Sequence, residues 1–351
     1  ALMEKYLPDP YIFVAILTAI VVGLGMIFTD SSFVDMTVYW GDGFWGILAF
    51  TMQMVIVLAA GHVLANSPLF KKVLSGAASK IKTPSMAIIV VTFVSLVACW
   101  INWGFGLVIG ALFAKEIARQ VRKVDYRLLI ASAYSGMVIW HGGLAGSIPL
   151  SIATEGHPFQ DVMGVVDTNT TLFSTYNLFI VLVILFTLPF FNRFLMPKDE
   201  DVVEIDPSLI KDEEIALPKP EKNFASISER SYIITGIVGL LGVTYIVYHF
   251  ATKGFKLDLN IVNTIFIISG IILHGTPQRF LAAAQQAIKT TSGIVFQFPF
   301  YAGIMGMMTF SGLGAVMSDW FINISNDTTF YLFTFYSAGL VNFFVPSVGG
   351  Q

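Results

Sequence analysis

Charge is what this sequence most lacks. Only 12% of its 351 residues are Asp, Glu, Lys or Arg, against about 25% in soluble globular domains. Such a chain cannot clothe a water-facing surface, and many membrane spans are the alternative. A basic excess is also missing. The net charge is −3 with no interleaving of aromatic and basic residues, which excludes nucleic acid as a partner. One cysteine, Cys99, excludes an internal disulfide and a cysteine-cluster zinc site. There is no His-Glu-x-x-His pair, no paired intramembrane aspartates and no Gly-x-Ser-x-Gly elbow, so the signatures of a membrane enzyme are missing. The first apolar run, from Tyr11, has no small-residue cleavage site after it and reads as a span, not a signal peptide.

What is abundant is apolar: 55% of residues are hydrophobic and mean hydropathy is +0.74. Apolar runs fall at 11–28, 44–65, 84–114, 128–153, 172–191, 231–250, 261–275, 290–318 and 328–346. A span takes about 20 apolar residues, so most runs fit one span and 261–275 is short. Connections 29–43 and 154–171 hold Asp and Glu but no Lys or Arg. Lys71, Lys72, Lys80 and Lys82 crowd 66–83; Lys115, Arg119, Arg122, Lys123 and Arg127 crowd 115–127. The positive-inside rule puts the basic loops in the cytoplasm and the acidic ones outside. Residues 193–230, rich in mixed charge and broken by Pro207, Pro218 and Pro220, read as a solvated cytoplasmic linker. The domain reading is thus a first membrane half at 1–196, a linker at 197–230 and a second membrane half at 231–351.

Run 84–114 has both ends in the cytoplasm and 31 residues without charge. That is too short for two full spans and longer than one needs. A re-entrant hairpin satisfies both facts, with its tip at Asn102-Trp103-Gly104-Phe105-Gly106. The alternative is one long tilted helix in which Gly104 and Gly106 are packing notches. Irregular backbone at that depth survives only when protein buries it or it lines a cavity.

The two halves resemble each other. Ser67-Pro68 recurs as Thr276-Pro277, Ile81-Lys82-Thr83 as Ile288-Lys289-Thr290, Gly106-Leu107 as Gly312-Leu313, and Tyr134-Ser135-Gly136 as Tyr336-Ser337-Ala338. The offsets drift one way, as in a duplicated unit with small deletions. Each half holds an amphipathic segment, a charge-free run broken by glycine, and a helix entering a second break. Those second breaks are His141 to Pro149 and Val345 to Gln351. Paired broken segments point to a transporter's midplane site; the competing reading is glycines that only let helices pack closely. Four spans separate the hairpins, which sets both on one side, whereas an inverted repeat needs an odd number. The orientation of the second half stays open.

Five tracts carry a resemblance: Trp40-Gly41-Asp42-Gly43-Phe44-Trp45, Ile101 to Leu107, Asp201-Val202-Val203-Glu204-Ile205-Asp206-Pro207, Gln297-Phe298-Pro299-Phe300-Tyr301-Ala302-Gly303, and Asn342-Phe343-Phe344-Val345-Pro346-Ser347. In order and over the whole chain, the sequence resembles the bacterial short-chain fatty acid transporter family of the acetoacetate/butyrate permease type. The resemblance implies an all-α polytopic inner-membrane permease similar to the ion-transporter superfamily. Its two pseudo-repeats would each carry a re-entrant hairpin and a broken helix around one substrate site. By that resemblance the hairpin tips are Asn102 to Gly106 and Ser311 to Gly314, and the helix breaks are His141 to Pro149 and Pro346 to Gln351. Members continue past the Pro-Ser-x-Gly-Gly segment, so the chain reads as ending inside that motif and is not expected to transport alone.

A short-chain monocarboxylate needs its charge balanced and its tail kept dry. No Lys or Arg lies within 84–114, 128–153, 290–318 or 328–351, so a point-charge partner is not expected. Helix N-termini at the breaks supply N–H groups and about half a positive charge each. Asn102, Ser147, Ser311, Asn342 and Ser347 offer side-chain donors. Trp103, Phe105, Trp140 and Phe343 offer walls for the alkyl tail. Gly104, Gly106, Gly142, Gly143, Gly312, Pro346, Gly349 and Gly350 supply the unwound backbone. Each polar residue alone also reads as a helix–helix hydrogen bond. His141 is the one titratable group deep in a break. It reads either as the carrier of a coupling proton or as a neutral ring donating to a freed carbonyl. If the coupling ion is Na⁺ instead of H⁺, carbonyls at the hairpin tips are the natural ligands. His62, His249 and His274 read as interfacial. No organic cofactor and no metal centre is expected, and a homodimer stays open. A dicarboxylate or amino-acid transporter is the alternative, disfavoured by the missing second cation; a channel would lack the use of an internal repeat.

Overall fold

The computed structural model describes residues 9–210, 217, 219–326 and 328–344, and these form helices and connections without a strand. Among the described residues, seven helical stretches are long and apolar enough to cross a membrane. The helices are α1 (Pro10–Phe28), α2 (Phe33–Gly43), α3 (Leu48–Ala65), α4 (Pro68–Ala78), α5 (Pro84–Ile101), α6 (Trp103–Gln120), α7 (Tyr126–Tyr134), α8 (Ser147–Ile152) and α9 (Thr175–Phe194). After the linker come α10 (Tyr232–Lys253), α11 (Leu259–His274), α12 (Pro277–Ile288), α13 (Ser292–Phe310), α14 (Leu313–Ile324) and α15 (Phe330–Phe344). Apolar runs supply the bodies, and local chemistry supplies the starts. Asp9, Thr83, Asp125, Asp258 and Thr276 each accept an N–H of the following first turn. Pro10, Pro68, Pro84 and Pro277 occupy the first helical position, where no N–H is needed.

Connections between the apolar runs hold helices too. Segment 29–43, read as a loop, contains α2, opened by a reciprocal capping box between Ser32 and Asp35. The chain's contacts divide it into two compact units, one of residues up to Met52 with those from Ser292, the other of Gln53–Thr291.

In the Gln53–Thr291 unit, run 84–114 is two helices, not one long one. A turn at Asn102 separates α5 from α6, and α6 continues through the basic residues to Gln120. Gly106 abuts Cys99, and Gly110 abuts the Ser95 hydroxyl. Position numbers that rise on one arm as they fall on the other mark antiparallel arms, so the segment is a helical hairpin. Gly104 at the tip rests on the Leu58 backbone of α3. Lipid tails are as apolar as the helices, so such packing relies on close van der Waals approach, which small residues permit.

The pairing of α3 with α11 gives direction. Gln53 Nε2 donates to Asn260 Oδ1 at 2.9 Å, and Asn263 Nδ2 to the Gln53 carbonyl at 3.0 Å. Eleven residues on, a His274 ring nitrogen meets the Val63 carbonyl at 2.9 Å. The two helices therefore run side by side in the same sense, at separations of 207, 210 and 211 residues. That is the spacing of the internal repeat, so repeat-related helices pack in parallel at this point. At their far ends Ala283 and Ala287 of α12 close over Val63. At their near ends the Leu259 N–H donates to Thr154 Oγ1 at 3.1 Å, and Phe255 meets Phe173 with centroids 5.7 Å apart. Loop 254–258 thus lies beside the acidic loop 154–171, and α12 lies beside the basic segment at α4. This settles the sense of α10 and α11.

The first part of the linker is not free in solvent. Val203 N–H donates to Asp125 Oδ2 and Tyr126 N–H to the Val203 carbonyl, both at 2.9 Å. Arg127 holds the Asp201 carbonyl at 3.1 Å, and Arg119 the Ile210 carbonyl at 3.0 Å. His249 and His274, expected at the interface, are buried at 5% and 3% exposure. Each ring nitrogen pairs with a carbonyl, of Lys256 and of Val63, because a buried imidazole left unpaired would be costly.

In the other unit, α2 crosses α13 at Gly43 and Gly306. A β-carbon on Gly43 would sit 2.6 Å from Gly306 Cα. Trp40 fills the notch at Gly303, and Tyr11, Trp40 and Phe44 gather around Phe300. Two of the five tracts that carry the resemblance therefore meet here. Between α13 and α14 the chain turns at Ser311-Gly312, with Gly312 at φ +76°, a left-handed conformation that glycine adopts without strain.

Candidate functional site

The hairpin tip and the first helix break come together within the Gln53–Thr291 unit. Helix α7 tightens into a 3₁₀ segment, Ser135–Gly142, earlier than the glycines predict. Ser95 Oγ of the hairpin donates to the Ala133 carbonyl, competing for an acceptor that a continuing α-helix would use. Asn192 of α9 holds Ser135 Oγ at 2.9 Å. The break proper is Gly143–Gly146. Pro149, read as part of the break, lies in the first turn of α8, where the lost N–H costs nothing.

Two hydrogen bonds join tip to break. Leu144 N–H donates to the Trp100 carbonyl at 2.7 Å, and Trp100 Nε1 to the Gly142 carbonyl at 3.0 Å. Gly143 lies against the Trp100 backbone, where any side chain would collide. Trp103 packs edge-on to Trp140 with centroids 5.1 Å apart, and Trp140 lies against His141 at 3.9 Å. Asn177 Nδ2 adds a 3.1 Å bond to the Gly142 carbonyl.

The predicted residues divide by what their polar atoms do. Asn102 is fully buried, and its Oδ1 caps the Phe105 N–H at 2.9 Å. Its Nδ2 reaches the Val57 carbonyl at 3.4 Å. Ser147 Oγ and Trp103 Nε1 are buried and make no hydrogen bond. They are two of eleven such side-chain atoms among the described residues, and an unpaired buried donor costs about 1–3 kcal/mol. Both belong to the two segments that the Trp100 bonds hold together. Gly104, Gly106, His141, Gly142 and Gly143 fall in the same cluster. Ser311 Oγ donates to the Met307 carbonyl at 2.7 Å and accepts from Leu313 N–H at 3.2 Å, as part of the turn with Gly312 in the other unit. The side chain of Asn342, and Pro346, Ser347, Gly349 and Gly350 entirely, lie outside the described residues. Among the described residues no group of three His, Cys, Asp or Glu could hold a metal ion.

Trp100 and Asn177 build the site and escaped the sequence reading. Trp100 sits inside an apolar run, where it reads as wall. Asn177 was the better signal, as the lone amide in the apolar run 172–191.

The sequence matches the family described as "Short chain fatty acid transporter" over residues 1–351. An Escherichia coli (strain K12) protein named "Putative short-chain fatty acid transporter" is 46% identical over 352 residues, covering 99% of this chain and 80% of that protein. A Haemophilus influenzae protein of the same name is 44% identical over 358 residues, with the same two coverages. No solved structure matches.

Proposed function

Because this chain belongs to the short-chain fatty acid transporter family, we propose that it takes up monocarboxylates of butyrate or acetoacetate size, driven by H⁺ or Na⁺, and that it catalyses no chemical reaction. The membership makes it a multi-pass transporter of the bacterial inner membrane. The substrate would bind where the hairpin tip meets the break after α7. The observation that carries this reading is the pair of unpartnered buried donors, Trp103 Nε1 and Ser147 Oγ. A carboxylate has acceptor capacity for both. The first turn of α6 adds the positive end of an 18-residue helix. Trp103 and Trp140 would wall the short tail. His141 would carry the proton in an H⁺-coupled cycle; in a Na⁺-coupled one, carbonyls of the break would be ligands.

Equilibrium binding of labelled butyrate to the protein in nanodiscs tests the site. Ser147→Ala and Trp103→Phe should each weaken binding by roughly tenfold or more, the value of one hydrogen bond to a charged group. Unchanged affinity in both would remove the site. Competition by succinate as strong as by acetoacetate would turn the reading to dicarboxylates.

A further inference from the structure

On the basic side of the Gln53–Thr291 unit lies a cavity of about 640 Å³, bounded by α3, α4, α6 and α12. Its longest wall is one face of the hairpin's second arm: Leu107, Val108, Ala111, Leu112, Lys115 and Glu116. Those positions recur every three or four residues and climb about 14 Å along the helix. The top, Leu107, is about one turn from Trp103. Leu58, on the opposite wall, is the residue whose backbone supports Gly104 of the tip. The cavity therefore runs from the basic surface nearly to the proposed substrate site, and its upper walls are the aliphatic side chains of Leu58, Leu107, Val108 and Ala111 with His62 among them.

Its mouth is cationic. Lys71 and Lys115 both line it. The single lining carboxylate, Glu116, is bound to Arg119 at 2.5 Å, and no salt bridge engages either lysine among the described residues. Two lysines at the mouth of a largely aliphatic shaft match a small anion with an apolar tail. The volume is several times that of a four-carbon acid, so the cavity suits a hydrated passage better than a fitted pocket.

We infer that this cavity is the cytoplasmic vestibule of the transport path, and that Lys71 and Lys115 hold the carboxylate of the short-chain acid on the cytoplasmic side. The inference rests on the proposed monocarboxylate transport and adds the route and a second, cytoplasmic station. The lysines draw the anion to the mouth and leave the buried site free of fixed charge. They are positioning residues for entry and release on one side only.

The test uses two variants in inside-out vesicles that each add one cysteine, Ala111→Cys on the shaft and Ser79→Cys outside it; the native Cys99 is buried. A charged methanethiosulfonate reagent is applied with and without butyrate. Butyrate should slow modification at Ala111→Cys severalfold and leave Ser79→Cys unchanged. Lys71→Gln with Lys115→Gln should abolish that protection. The same pair should raise KM for butyrate presented at the cytoplasmic face by roughly tenfold, as loss of charge-assisted contacts implies. KM at the outer face should stay unchanged, and Lys→Arg replacements should restore the cytoplasmic value. Labelled uptake in the same vesicles separates the two claims. Uptake with no protection at Ala111→Cys would overturn the vestibule while the transporter stands. Protection without uptake would show an anion-binding cavity that leads to no transport, and would overturn the vestibule together with the transport reading. A lysine-dependent slowing produced by anionic phospholipid, and not by butyrate, would assign the cavity to lipid and overturn the inference.

Discussion

At the scale of single residues, the site divides into side chains that hold the fold and side chains left over. Asn102 holds the fold, because its amide stitches α5, α6 and α3 together at the tip. Asn102→Ala should lower the melting temperature, since losing an N-cap costs about 1 kcal/mol and here also leaves buried groups unpaired. Asn102→Asp should not recover the loss, because the carboxylate keeps the cap but lacks the donor to the Val57 carbonyl and buries an unpaired charge. Ser147→Ala should leave the melting temperature unchanged or slightly raised, because its hydroxyl has no partner to lose. Thermal unfolding in detergent separates these outcomes, and equal destabilisation by both alanines would contradict the division. Most of the cluster was legible in the sequence because glycine, asparagine and serine are conspicuous in apolar runs. Which of them were already engaged was not legible, since that depends on carbonyls of Val57 and Met307 that no pattern marks. Trp100 was invisible for a related reason: its role is one indole N–H and one carbonyl on an otherwise apolar wall.

At the scale of elements, the helical turn at Asn102 is the feature that the sequence carried best. Charge-free length and sidedness required a turn, and α5 and α6 meet at the predicted asparagine. Their contact is so close at Gly106 that a β-carbon would run into the Cys99 backbone. Gly106→Ala should therefore pry the arms apart, and folded yield from membranes should fall severalfold, as for overpacking of 1–3 kcal/mol. Cys99→Ala should not rescue it, because the clash is with backbone. Helix α2 was missed because its residues, with two aspartates and two glycines among short apolar stretches, read as a connection; the Ser32–Asp35 capping box was the available signal. The linker was misjudged for another reason. Its composition is that of a solvated segment, but Asp125 offers it a fixed acceptor. Burial would push the Asp125 carboxyl up; the Arg127 guanidinium and the N–H groups of Val203 and Leu128 outweigh it and hold it at about 2. Since the folded value is depressed, the stabilisation is complete above the unfolded value of about 3.9 and disappears as pH falls through 2. It is on the order of 2 kcal/mol. Asp125→Asn should expose residues 201–210 to protease at neutral pH, and the parent protein should resist down to about pH 4. Equal resistance of both proteins at neutral pH would show that the clasp does not depend on the carboxylate.

At the scale of the whole molecule, composition announced a polytopic membrane protein, and loop charges oriented the first half. They failed for the second half because Lys253 and Lys256 stand beside Asp258, which leaves no bias to read. Packing supplied what charge could not: loop 254–258 shares a side with loop 154–171 through Thr154 and Phe173. Phe255→Cys and Phe159→Cys should both react with a membrane-impermeant maleimide added to intact cells, and Ser79→Cys should react only after permeabilisation. Labelling of Phe255→Cys together with Ser79→Cys, and not with Phe159→Cys, would invert the assignment. The matching tracts of the two halves set a spacing near 207 residues in the sequence, and the hydrogen bonds between α3 and α11 run close to that spacing with the two helices parallel.

The central claim is gradient-driven transport of a small monocarboxylate. It is tested most directly by labelled butyrate uptake into proteoliposomes under an imposed proton or Na⁺ gradient, with this sequence carried to the full length of the Escherichia coli relative, of which it covers 80%, and that relative measured in parallel. The account predicts accumulation above the external concentration under one of the two gradients, competed by acetoacetate and not by succinate, and abolished by collapsing that gradient. Correctly inserted, folded protein that accumulates no butyrate under either gradient would contradict it.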